Sequence, residues 1–113
     1  MNYKIVSTDD FDKNVKRLSK KYHSLKVDLI AFQEELRKTP TMGDDLGDNT
    51  RKVRMAITSK GKGKRGGARI ITCNILIDVE NTKIYLLSIY DKGEQDSISS
   101  NEIEILKRRN GLL

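Results

Sequence analysis

The feature that most constrains this chain is a change of apolar period on either side of its single proline, Pro40. Before it, Phe11, Val15, Leu18 and Tyr22 recur at helical spacing, and Leu25, Leu29, Phe32 and Leu36 repeat the rhythm. Thr8 or Asp9 can cap the first helix, with Asp10 and Asp12 at its positive end, and Ser24 can cap the second. Pro40 cannot continue a helix, so the stop is predicted near Thr39. After it the period falls to two, with Val53, Met55 and Ile57 on one face and Lys52, Arg54 and Ala56 on the other. Residues 41–49, rich in Gly and Asp, read as a loop.

Met1 to Val6 alternates loosely and reads as a leading strand. Arg69 to Val79 is a β-branched run that suits a central strand, Glu80-Asn81-Thr82 a turn, and Lys83 to Tyr90 a further strand. Short connections between these strands favour antiparallel pairing. Ser99 with Glu102 three residues later fits a capping box opening a short terminal helix, and Gly111 suits its end. The order strand, helix, helix, three strands, helix predicts one α+β domain over residues 1–113. Its helices are expected on one face of a mainly antiparallel sheet.

No apolar stretch approaches the roughly 18 residues that span a membrane, so no membrane partner is expected. Met1 to Val6 is followed at once by Ser, Thr and two Asp, which leaves no h-region for a signal peptide. The lone Cys73 cannot form an internal disulfide and falls among isoleucines as an expected core thiol. Together these features predict a cytoplasmic protein. His23 is the only histidine, so neither a zinc site nor a histidine acid–base pair is expected, and no metal or cofactor is implied.

The net charge of +6 is unevenly placed. Arg51 to Arg69 holds eight cations (Arg51, Lys52, Arg54, Lys60, Lys62, Lys64, Arg65 and Arg69) and no acid, against fourteen cations and sixteen acids elsewhere. Such a segment attracts polyanions with a strong salt dependence. Lys52 and Arg54, two apart on a strand, leave one face together and repel unless an anion lies between them. Gly61-Lys62-Gly63-Lys64-Arg65-Gly66 satisfies G-x-G-x-x-G, but a strand follows it where a dinucleotide site needs a helix. Gly67 stands where a P-loop needs Lys. The loop therefore suits approach to a nucleic-acid backbone, with Lys60, Lys62, Lys64 and Arg65 as ligands beside Arg51. By alternation Tyr85 and Tyr90 fall on opposite faces of their strand; Tyr90 is a stacking residue or a core one.

Three ordered segments carry a resemblance: Arg51-Lys52-Val53-Arg54; Lys60 through Arg69-Ile70-Ile71; and Leu86-Leu87-Ser88-Ile89-Tyr90-Asp91-Lys92-Gly93-Glu94 followed by Asp96 and Ile98-Ser99. They resemble the RelE/ParE superfamily of bacterial type II toxins, most closely the HigB-like branch, over nearly the whole chain. The resemblance implies a RelE-like, microbial-RNase-like α+β fold and an mRNA endonuclease acting at the ribosomal A site. It also implies neutralisation by a cognate antitoxin, a HigA-like protein with a DNA-binding helix-turn-helix. Family active-site positions match Lys52, Arg54, Arg69 and Lys92. Where some members carry a catalytic Tyr, this chain has Ile98.

Cleavage of RNA by its own 2′-hydroxyl needs a base for that hydroxyl, positive charge for the phosphorane, and an acid for the departing 5′-oxygen. With no histidine in these segments, a lysine among cations is the natural base, because neighbouring positive charge disfavours its protonated form. Lys52 or Lys92 fits that role, with Arg54 and Arg69 clamping the phosphate. Two other functions share these features: a ParE-like DNA gyrase poison, and a non-catalytic RNA-binding domain. An uncovered strand edge at Met1–Val6 is expected to offer the antitoxin a docking rail.

Overall fold

A computed structural model describes residues 1–113. The chain begins with strand β1 (Asn2–Ser7), followed by helices α1 (Asp9–Lys21) and α2 (Leu25–Lys38). Strands β2 (Asp44–Gly47) and β3 (Thr50–Met55), a 3₁₀ turn at Thr58–Lys60, strands β4 (Ala68–Leu76) and β5 (Asn81–Asp91), and helix α3 (Ser100–Arg109) complete it. The sheet runs β1-β5-β4-β3-β2. Only the β1–β5 pairing is parallel, so the sheet is mixed.

Local chemistry accounts for the boundaries. The Thr8 hydroxyl accepts the Phe11 N–H and starts α1, and Ser99 accepts the Glu102 N–H and starts α3. Thr39 closes α2 one residue before Pro40. Phe11 and Leu18 of α1 pack with Leu25, Leu29, Phe32 and Leu36 of α2 against Val53, Met55, Ile70, Ile84 and Leu86 of the sheet. This is the larger of two cores, with fourteen buried residues.

The structure departs from the expected layout in four places. Residues 41–49 are not all loop: β2 pairs antiparallel with β3 through a tight turn in which Asp48 and Asn49 both take positive φ. Two consecutive left-handed residues define the hairpin turn that matches strand twist, and Asp and Asn tolerate it. The strand read to Val79 ends at Leu76, because Asp78 accepts the N–H groups of Glu80 and Asn81 and turns the chain there. The helices do not share one face. Helix α3 lies on the opposite side, where Ile103 packs with Ile71, Cys73 and Leu87, joined by Ile98 and Leu106. Finally, Ile71 pairs with Ser88 while Thr72 pairs with Leu86, leaving Leu87 as an extra residue in β5. That bulge shifts alternation by one, so Tyr85 and Tyr90 share a face instead of opposing each other.

Candidate nucleic-acid interface

The face covered by α3 at one end carries the cations at the other. Val53 and Met55 enter the larger core, so Lys52 and Arg54 must point away from it. Arg54 lies directly opposite Arg69, which lies opposite Tyr90, so one rung across three strands reads Arg54–Arg69–Tyr90. Directly opposite residues stand about 5 Å apart and project to the same side. Lys92 follows β5, and its N–H extends the ladder by donating to Gly67 O at 2.9 Å. Three of the four family-matched positions thus share one sheet face, and Lys92 adjoins its end.

Their environments differ sharply. Lys52 and Arg54 make no hydrogen bond or ion pair within the chain, and Arg54 is exposed. Arg69 is only 5% exposed; its guanidinium donates to the carbonyls of Lys64 (3.1 Å), Ala68 (3.2 Å) and Arg65 (2.8 Å). It ties down the Gly-rich loop from beneath, leaving part of its donor fork for another acceptor. Lys92 donates to the Asp96 carbonyl at 2.7 Å and to its carboxylate. That contact, with Lys52 contributing at longer range, holds the Asp96 carboxyl below its usual range. Asp96 therefore occupies an anion's place among Lys92 and Lys52.

Tyr90 is 4% exposed and its hydroxyl has no hydrogen-bond partner. Burial raises its pKa, against the lowering influence of Arg69. It does not offer its ring to solvent for stacking. Ile98 packs half-buried on the smaller core.

The remaining loop cations divide in the same way. Lys62, Lys64 and Arg65 are exposed. Lys60 instead reaches the opposite face, where its ammonium lies 2.7 Å from Asp91. The fully buried Asp91 carboxylate also accepts from Lys21, the Tyr22 hydroxyl and the Gly93 N–H. Burial pushes its pKa upward, yet these donors, Lys60 foremost, hold it far below the ordinary carboxylate range. Arg51 shares the face of Val53 and pairs with Asp45 at 3.7 Å. The basic segment is therefore not free of acid in space, since β2 brings Asp44 opposite Lys52 and Asp45 opposite Arg51.

The glycines of the loop have a packing reason. A Cβ at Gly67 would lie 2.3 Å from Met55 O, and one at Gly66 would lie 2.5 Å from Lys62 Cβ. The Gly66 and Gly67 N–H groups donate to Lys62 O and Lys64 O inside the loop. The backbone is thus folded on itself, and the side chains are what it presents.

Sequence reasoning names Asp91 and Asp96 only within the third segment, without a role, and misses the β2 hairpin. The four-residue step from Lys92 to Asp96 and the Asp48-Asn49 pair were the available signals. No helix is long and apolar enough to cross a membrane. No family model matches this chain.

Proposed function

We propose that this chain is the toxin of a type II toxin–antitoxin system with a RelE-like fold of the HigB-like branch, a ribosome-dependent mRNA endonuclease acting in the cytoplasm. The observation that carries this is the shared face of Lys52, Arg54 and Arg69 with Lys92 at its end, two of them unpaired. A phosphodiester lying along it would meet Arg54 and the free donors of Arg69 as clamp. The 2′-hydroxyl loses its proton to a lysine, its oxygen attacks the adjacent phosphorus, and the 5′-oxygen leaves with a proton from a second group. A 2′,3′-cyclic phosphate and a free 5′-hydroxyl result. Lys52, unpaired, is the readier base; Lys92 must first give up Asp96. Such a base, poorly aligned without help, gains most from a ribosome that fixes the mRNA, since positioning supplies several kcal/mol of barrier.

The antitoxin has a rail to use, because β1 is an edge strand whose outer side no other strand covers. Primer extension on mRNA from cells expressing the chain tests the function. Codon-phased cuts that vanish in Lys52→Ala support it. Double-strand DNA damage without cuts would mark a gyrase poison, and neither outcome would mark a plain RNA binder.

A further inference from the structure

On the α3 side a cavity of about 490 Å³ lies between α3 and the β2–β3 turn. Ser100, Ile103, Glu104 and Lys107 form one wall, a helical stripe at spacings of three and four. Leu46 to Asp48 and Thr50 form the other, and Ile98 lies between. Lys107 lines it with its stem covered: the residue is 7% exposed, while its ammonium keeps contact with solvent and makes no hydrogen bond or ion pair. A cationic head at the cavity wall with no counter-group is a donor open to an acceptor.

Resting on the nuclease function proposed above, we infer that this cavity is a nucleobase pocket that selects the RNA base next to the scissile phosphate, whose attacking 2′-hydroxyl lies at Lys52. Its volume falls in the range of small-ligand sites. Leu46, Ile98 and Ile103 give apolar contact for the faces of a base, Lys107 a donor for a ring nitrogen or carbonyl, and Asp48, with the Glu104 oxygen that Arg108 leaves free, acceptors for amino or imino N–H groups. An acidic peptide would satisfy Lys107 but be repelled by Asp48, whereas a neutral base carries donors and acceptors together. Register fixes the distance to the phosphate cations. Thr50 on the cavity wall and Lys52 share a face of β3 two residues apart, about 7 Å. That is within the span of one nucleotide. Ile98 lies two residues beyond Asp96, joining the two sites from the other side.

The test is methyl NMR of the full chain titrated with the four nucleoside 5′-monophosphates and with ribose 5-phosphate, which lacks a base. At least one monophosphate should move the Ile98 and Ile103 methyls saturably, and ribose 5-phosphate should leave them still. Lys107→Met, which keeps the unbranched stem, should weaken the preferred monophosphate about tenfold, the effect of losing one charged hydrogen bond. Ser100→Phe, filling the cavity from an exposed position, should do the same. Identical responses to the monophosphates and ribose 5-phosphate, or unchanged affinity in both variants, would overturn the pocket. So would an acidic peptide that moves these methyls where no monophosphate does. Failure here with codon-phased cleavage intact removes the pocket alone; monophosphate binding without any cleavage removes the nuclease and leaves a base site.

Discussion

The two faces of the sheet differ in how they treat the charges drawn in beside their cores. On the α1/α2 side, fourteen residues are buried together and the carboxylates beside them, Asp91 and Asp28, are satisfied. Asp91 is engaged from four directions, and Asp28, though raised by burial, is held low by the Thr58 hydroxyl and N–H and the Ser24 hydroxyl. On the α3 side only four residues form the core, and the face leaves open the Lys52 and Arg54 heads, the Tyr90 hydroxyl and the Lys107 ammonium. One side spends its side chains on packing; the other keeps unused donors around a thin core. Unsatisfied donors gathered on one surface are what an anionic ligand needs, so stability and recognition are divided between the faces.

The most severe way to probe that division is at Asp91. Asp91→Asn should destabilise the fold by about 5 kcal/mol in denaturant unfolding, because it strands the largely buried Lys60 without its charge partner. The pH dependence has a definite sign. Asp91 is depressed in the folded state, so its contribution is fully present above the ordinary Asp range near 4 and fades as pH falls below it toward the lower folded value. Asp91→Asn should show a weaker acid-induced loss than the parent chain.

Leu86 and Leu87 give a sharper comparison, being consecutive, both fully buried, and on opposite faces. Leu86→Ala should cost about 4 kcal/mol and Leu87→Ala about 2–3, because the thinner core can relax around the loss. Equal costs would show that the faces are packed alike. Arg69→Ala should follow at about 2 kcal/mol, leaving the Lys64 and Arg65 carbonyls of the loop and that of Ala68 in β4 short of a donor, with faster amide exchange across Lys62–Gly67. Asp96→Asn should leave stability unchanged and raise RNA affinity a few-fold by freeing Lys92.

Much of this arrangement is legible in the sequence because it follows from period and spacing. Alternation alone puts Lys52 and Arg54 opposite Val53 and Met55, and 4-3-4 spacing gives both helical stripes. What escapes is whatever depends on one extra residue or on partners distant in the chain. The bulge at Leu87 reverses the relation of Tyr85 and Tyr90, and nothing local to β5 announces it. The burial of Arg69 depends on a loop folding over it, and the diversion of Lys60 on an Asp thirty-one residues away. Charge counting treated eight cations as one patch; the fold separates them into clamps, ion-pair partners and exposed heads.

The central claim is that unpaired cations on the α3 side hold RNA phosphates. Its most direct test is the salt dependence of binding to a short single-stranded RNA. Each phosphate contact contributes about −0.7 to the log–log slope. Arg54→Ala should flatten the slope by about that amount, while Lys38→Ala, on the exposed surface of α2, should leave it unchanged. A slope that stays the same in Arg54→Ala, or flattens only in Lys38→Ala, would contradict the account.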